Sequence, residues 1–404
     1  LIKPNLFVKG FEYSKDGIHP KTKEEIQAVL SYGGKVVFSP GDYVQSSTHL
    51  LTIKKPKLSI EKLIAIMDSE GITFNEVLDT IDKFKGIKVH VVGDTIIDRY
   101  TFCSVLGPTT KTPTFSIKKE SQETYLGAAA VVAKHLKSLG ADVTFTTIMG
   151  DDENREFAQN DLDEWGVKQN VIIDPSRPTT LKERFWADGY KLLQVDTVDS
   201  SRISDKITEK LAKALIETDT EAVIFSDFRH GIFNLNSVKI FTECLPGNII
   251  KIADSQVSNR WGNILDFKNF DIIIPNEKEA RFALADQDSG VRPLGTDLYR
   301  KSKADYLILK LGEKGIMVFR DSAYNPRDFF SIESFAENLI DGVGAGDSLL
   351  AATTLAYVKS KNIVISSILG NIAAAVACET EGNIPVSPEQ IKDIIDRIRS
   401  SSLV

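Results

Sequence analysis

The chain has 404 residues, 42% of them hydrophobic and 26% charged, with a formal net charge of −7. That length favours two or three folding units, the composition argues against long disordered tracts, and the acidic balance gives no electrostatic reason to expect a nucleic-acid partner. Cys103, Cys244 and Cys378 are too widely spaced for a disulfide framework or a zinc motif, so a reducing, cytoplasmic setting is the expectation. No apolar run approaches the length of a membrane span, so no membrane insertion is expected. The first residue is Leu1 and a strand-like stretch follows at once, from which we expect residues upstream.

Residues 1–51 read as a small α/β fragment: a strand at 6–8, a helix at 22–32 stopped by Gly33-Gly34, and a strand at 35–38. So short a fragment is a poor candidate for a complete domain. From Thr52 to Gly86 the pattern turns helical, with Leu58, Leu63, Ile64 and Met67 and then Phe74, Val77, Leu78 and Ile81 at three- and four-residue intervals. The first part, 52–75, reads as a helical linker leading into a domain over 76–404. There, an apolar strand at 88–92 ends in Gly93-Asp94, and Gly127-Ala128-Ala129-Ala130 opens a helix running through Leu139. Strands at 143–148, 171–174, 222–226, 249–253, 271–274, 306–309 and 316–319 then alternate with helices at 153–165, 204–217, 236–244 and 277–284. Helices at 347–360, 363–379 and 388–400 close the chain. Such alternation predicts an α/β fold, a doubly wound, mostly parallel sheet with helices on both faces. Hairpin-like runs near 100–120 and 181–196 do not fit a helix-covered sheet and predict a small β lid.

The most informative stretch is Asp341-Gly342-Val343-Gly344-Ala345-Gly346-Asp347, followed by a good helix-forming run. A loop feeding a helix N-terminus presents unpaired N–H groups and a positive dipole to an anion. The amides of Gly344, Ala345 and Gly346 then suit a transferred phosphoryl group, with Asp347 as base, although a Gly-rich turn capped by aspartate has the same pattern.

Several further stretches, in order, resemble the ribokinase-type (PfkB) sugar kinases, and among them the heptose 7-phosphate kinases of ADP-heptose synthesis. They are Val91-Val92-Gly93-Asp94 with Asp98-Arg99-Tyr100, the run from Gly127 to Ala141, Ser226-Asp227-Phe228 with Gly231, Pro275-Asn276-Glu277-Lys278-Glu279, Leu311-Gly312-Glu313-Lys314-Gly315, and the Gly-Ala-Gly-Asp stretch itself. The resemblance implies a ribokinase-like fold, ATP and Mg²⁺ as cofactors, a sugar or sugar-phosphate substrate, and a homodimer formed through the β lid. Residues 1–51, through Val8-Lys9-Gly10 and Ser46-Ser47-Thr48, resemble the C-terminal half of a cytidylyltransferase-like nucleotidyltransferase, with Lys9, Ser47 and Thr48 as its nucleotide contacts, which implies a bifunctional protein of nucleotide-sugar synthesis; a structural α/β appendage with no chemistry of its own is the alternative.

On this resemblance Asn276 and Glu279 hold the metal and triphosphate, hard oxygen ligands being suited to Mg²⁺; a helix-start asparagine and a solvated glutamate are the alternative. Lys310, Gly312 and Gly315 line the nucleotide pocket, and Asn371 and Gly382 approach the adenine. Asp98 and Gly127 belong to the sugar site, and Asp94 supports the strand end or shares that task, although paired carboxylates also cap turns. Lys182 and Arg184 share one strand face and suit a phosphorylated substrate, or are surface charges. The departures from the pattern are Ala128 for a glycine, Val131 for an asparagine, His230 for a lysine, and Val343 for the threonine before Gly-Ala-Gly-Asp, so the phosphate-handling parts keep the pattern better than the sugar-reading parts. They leave open a weakened kinase-fold domain acting as a scaffold or ligand sensor, and a nucleoside kinase.

Overall fold

A computed structural model describes residues 4–9, 20–38, 58–109, 114–257, 262–321, 328–380 and 382–402. The chain divides into two compact units, Leu1–Leu58 and Ser59–Val404. In the first, β1 (Leu6–Lys9), the helix Pro20–Leu30 and β2 (Lys35–Phe38) form a β-α-β unit with parallel strands. The helix stops where the two glycines predict. Gly33 adopts φ 84, and a Cβ on Gly34 would press on the Pro4 carbonyl at 2.8 Å. Ser47 and Thr48 lie outside the described residues.

The second unit contains β3 (Lys88–Gly93), β4 (Thr95–Pro108), β5 (Phe115–Ala128), β6 (Asp142–Met149), β7 (Lys168–Ile173), β8 (Thr180–Ala187), β9 (Tyr190–Thr197), β10 (Ala222–Asp227), β11 (Ile250–Ser255), β12 (Ile272–Ile273), β13 (Tyr306–Lys310), β14 (Ile316–Phe319) and β15 (Phe329–Ile332). Nine of these form one sheet in the order β15-β14-β13-β12-β11-β10-β3-β6-β7. Pairing is parallel from β13 through β7 and antiparallel for β14 and β15 at one edge.

Its central strands are apolar on both sides because both faces are covered. Val89, Val91 and Ile224 enter one core with Leu136, Leu350, Ile368 and Ile394 from the helices Ala129–Ser138, Ala345–Ser360, Ile363–Cys378 and Pro388–Ser402. Val92, Val223 and Phe225 point the other way, into a core that includes Phe233, Phe241, Phe267 and Phe270. Phe225 meets Phe233 and Phe270 edge-on, with ring centroids 5.6 and 5.4 Å apart.

The predicted lid is a four-stranded sheet, β5-β4-β8-β9, with β4 antiparallel to β5 and parallel to β8. Its first two strands are 14 residues each, longer than the sequence pattern suggests, because charged and polar side chains on exposed faces obscure the alternation.

Three other expectations change. The helix Leu58–Glu70 is no mere linker, since Leu63, Ile66 and Met67 are buried in the same core as Val89 and Val91, and Glu70 pairs with Arg320 at 2.6 Å. A helix at Val291–Ser302 escaped notice behind Pro293 and Gly295. Proline is tolerated there because the first-turn N–H groups have no intrahelical partner, and Gly295 lets the Phe319 ring lie directly against the backbone. Finally, the helix expected to open at Gly127 begins at Ala129, since Gly127 and Ala128 finish β5.

Candidate active site

The parallel strands deliver their carboxyl ends to one edge, and the candidate residues gather there: Asp94 after β3, Asp227 ending β10, Asp254 in β11, Asn276 just beyond β12, and Lys310 ending β13. This is the edge at which α/β sheets bind ligands. An open depression bounded by Lys88, Asp142 and Lys168 lies at the opposite, amino-terminal strand ends and holds none of them.

Asp347 stands in the first turn of the helix Ala345–Ser360. Gly344 is the N-cap at φ 79, where a side chain would strike Asn383, so only glycine lets the loop enter the helix this way. Val343 is exposed. Protein surrounds the Asp347 carboxyl closely even though part of its surface stays open. This burial, reinforced by Asp254 and Asp98 and opposed by Lys310, pushes its pKa up to about 7. The lid carboxylate Asp98, the strand-end groups Asp254 and Lys310, and the helix terminus are therefore near enough for their charges to act on Asp347.

Lys310 donates to both oxygens of Asp254, at 3.0 and 2.9 Å. Burial works against its charge, but Asp254 and Glu279 more than offset this and raise its pKa. Asn276 and Glu279 form a reciprocal cap on the helix Glu277–Leu284. The Glu279 N–H donates to Asn276 Oδ1 at 2.8 Å, while the Asn276 N–H and Nδ2 donate to the Glu279 carboxylate at 2.6 Å each. The helix-start alternative thus describes their local bonding. Unlike a solvated glutamate, however, Glu279 is buried, which lifts its pKa to about 7 with Lys310 opposing and Asp254 assisting.

Directly after Lys310, Gly312 adopts φ 60 and Gly315 φ 82 in a tight turn, and a Cβ on Gly315 would collide with the Ile332 carbonyl. Asn371 is buried and its Nδ2 holds the Glu333 carbonyl at 2.7 Å, so its amide supports this neighbourhood through the backbone. The Gly382 N–H donates to Asp341 at 3.3 Å and ties its segment to the Gly-Ala-Gly-Asp loop.

On the lid, Asp98 pairs with Arg184, whose guanidinium also lies 5.3 Å from the Tyr100 ring centroid. Gly127 on the adjacent strand leaves the room in which the Asp98 carboxylate sits, since any Cβ there would overlap it. Lys182 is in register with Asp98 on one side and Asp196 on the other. Asp94 behaves differently from its expected partner. It is only 2% exposed and accepts hydrogen bonds from the Phe228 and His230 N–H groups at 2.8 and 3.3 Å, so it fixes the strand-end loop. Burial raises its pKa to about 6.

Two groups escaped sequence reasoning. Asp254 carries the charge balance of the site, and Arg229, buried and at φ 65, binds Asp227, Asp266 and Ser255 beneath the same loop. A carboxylate at the end of a predicted central strand was the available signal for Asp254.

The sequence profile of the pfkB family carbohydrate kinases matches residues 87–390. The chain belongs to this family. It is 30% identical over 319 residues to the bifunctional protein HldE of Campylobacter jejuni subsp. doylei, covering 76% of this chain and 64% of that protein. It is 26% identical over 322 residues to the HldE of a Nitratiruptor species, covering 78% and 66%. The chain thus spans slightly under two thirds of the length of these relatives. Phosphofructokinase-2 from Escherichia coli, in complex with potassium, superposes with a TM-score of 0.63 at 16% identity, covering 78% of this chain and 99% of that one. Arabidopsis thaliana ribokinase, complexed with ribose and ATP, gives 0.62 at 18% identity, covering 77% and 99%. The ribokinase-like fold predicted from the sequence is therefore the fold of the second unit. Among the described residues no helix is long and apolar enough to cross a membrane.

Proposed function

We propose that residues 76–404 transfer a phosphoryl group from ATP to a hydroxyl of a sugar or sugar phosphate, of the heptose-phosphate kind, with Asp347 as general base. The observation that carries this reading is the placement of Asp347 in the first turn of a helix, closely surrounded by protein and within reach of the charges of Lys310, Asp254 and Asp98, which with burial raises its pKa to about 7. A base poised near the working pH is the most effective. The free N–H groups of Gly344, Ala345 and Gly346 receive the transferred group, Asp98 and Gly127 orient the acceptor with Asp94 bracing the strand end behind them, and Lys182 and Arg184 meet an acceptor phosphate.

Gly312 and Gly315, with Lys310, shape the nucleotide side, and Asn371 and Gly382 support its far wall. Among the described residues no cluster of three or more His, Cys, Asp or Glu makes a metal cage. That suits Mg²⁺, which keeps its waters and needs only one or two protein carboxylates beside nucleotide phosphates. Asn276 and Glu279 would hold it, and it would supply charge neutralisation at the triphosphate.

The β-α-β unit of residues 1–51 supports a nucleotidyltransferase-like segment in which Lys9, Ser47 and Thr48 meet nucleotide. Relatives named bifunctional support a second activity in nucleotide-sugar synthesis. A homodimer through the lid is supported by β9, exposed along its whole length with Tyr190 76% exposed, since an open apolar edge strand is a ready pairing template. Three free cysteines suit the cytoplasm.

One observation favours a second reading: the Asp98 carboxylate is already paired with Arg184 and Val131 is buried, as in a domain that senses nucleotide without turnover. Steady-state ADP formation with a panel of sugars, sugar phosphates and nucleosides separates the readings. ADP dependent on a sugar or sugar phosphate is the expected result. A nucleoside-only response makes the chain a nucleoside kinase, and nucleotide binding without ADP formation makes it a sensor.

A further inference from the structure

The charge at the centre of the site is unbalanced. Asp254, Glu279 and Asp347 all act on one ammonium, that of Lys310, and it holds a direct pair with Asp254 alone. A buried ion pair is seldom justified by stability, because its desolvation offsets its attraction. Its position gives it another use. The Lys310 Nζ lies 3.6 Å from where a Cβ would stand on Gly346, so it sits beside the first turn of the helix Ala345–Ser360, whose N–H groups have no intrahelical partner. The turn from Gly312 to Lys314 begins two residues after Lys310, while the charge of Lys310 reaches Asp347 on the acceptor side. Its alkyl chain is anchored at the end of β13, where the Lys310 N–H donates to the Pro275 carbonyl at 2.8 Å beside the Asn276 turn.

We propose that Lys310, positioned by Asp254, is the catalytic cation that contacts the terminal phosphoryl group of the nucleotide as it passes to the acceptor. This rests on the kinase reading above. In the step, the bond between the terminal phosphorus and the oxygen bridging to the β-phosphate breaks, and its electron pair leaves with ADP. The acceptor oxygen bonds to phosphorus and its proton goes to the Asp347 carboxylate. Lys310 keeps its own proton and donates hydrogen bonds to the non-bridging oxygens, exchanging one contact with Asp254 for them. Asp254 touches no reactant and acts by aiming the ammonium.

The experiment is calorimetric titration with ADP and with the unhydrolysable ATP analogue AMP-PNP, both with Mg²⁺, for the wild type, Lys310→Met, Lys310→Arg and Asp254→Asn. A charged hydrogen bond to the terminal phosphate corresponds to about 10- to 100-fold in affinity. Lys310→Met is expected to lose that factor for AMP-PNP while ADP affinity stays within about twofold. Lys310→Arg is expected to recover most of it, and Asp254→Asn to fall between. Equal loss of both nucleotides, or loss of neither, overturns the assignment. If Lys310→Met does not fold, Asp254→Asn decides by the same criterion, a loss confined to AMP-PNP supporting the assignment and an equal loss or none overturning it. A wild type that shows the Lys310-dependent preference but forms ADP with no acceptor overturns the kinase reading and leaves the Lys310 contact standing. Turnover in the wild type with an unchanged preference in Lys310→Met does the reverse, and a wild type that binds neither nucleotide overturns both.

Discussion

In the proposed site, the phosphate side and the acceptor side are built on different principles. On the phosphate side, the helix terminus at Gly344, the turn at Gly312 and Gly315, and the Asn276–Glu279 cap are backbone geometry fixed by the sheet, with Lys310 and Asp254 locked together between them. On the acceptor side the determinants are side chains of the lid and its flanks. There Arg184 occupies Asp98, Ala128 adopts φ 60 where glycine is at ease, and His230 Nδ1 finds no partner among the described residues. Burial lowers the His230 pKa to about 4, with Lys182 adding to the effect, so the ring is neutral at neutral pH. Chemistry common to all phosphoryl transfers needs the first kind of construction, whereas the choice of acceptor needs only the second. The departures from the family pattern cluster on the second, which is why the reaction class is clearer here than the acceptor.

The largest expected effect lies at the helix terminus, where the two sides meet. Asp347→Asn is expected to lower kcat by about 10²- to 10⁴-fold with nucleotide affinity retained; a near-normal kcat breaks the comparison at its root. Next comes the acceptor side. Gly127→Ala drives a methyl group into the Asp98 carboxylate, and misplacement on this scale costs up to about 100-fold in kcat/KM. The expected signature is a raised KM for the acceptor with the KM for ATP unchanged, and an equal rise in both makes the two sides one. The smallest effect on catalysis comes from a site in neither half. Gly295→Ala overpacks Phe319 and is expected to lower stability by about 1–3 kcal/mol, read as a lower Tm, with kcat unaltered.

The sequence made the sheet legible because both-face burial leaves strands such as Ala222–Asp227 apolar over most of their length, here from Ala222 to Phe225. It also singled out Asp347, Glu279 and Asp98; in the structure Asp347 and Glu279 both feel the charges of Lys310 and Asp254, and Asp98 acts on Asp347. For Asp94 it left two roles open, strand-end support or a share in the sugar site, and the hydrogen bonds that favour the first arise from a pairing of β3 with β10 more than 130 residues away in sequence, invisible to local pattern. The partnership of Lys310 with Asp254 was hidden for the same reason, the two lying 56 residues apart. The helix Val291–Ser302 was concealed by composition, since proline and glycine count as breakers until their partners are known.

The central claim is that Asp347 takes the acceptor proton with a carboxyl whose pKa burial has raised to about 7. Because the base works ionised, activity is lost as pH falls through that value. The direct measurement is kcat/KM for the acceptor from about pH 5 to 8.5 at saturating MgATP, in the wild type and in Asp347→Asn. The account predicts a plateau above about pH 7 and a decline of about tenfold per pH unit below it, with no such limb in the residual rate of the variant. A flat wild-type profile across this range, or a limb that survives in Asp347→Asn, would contradict it.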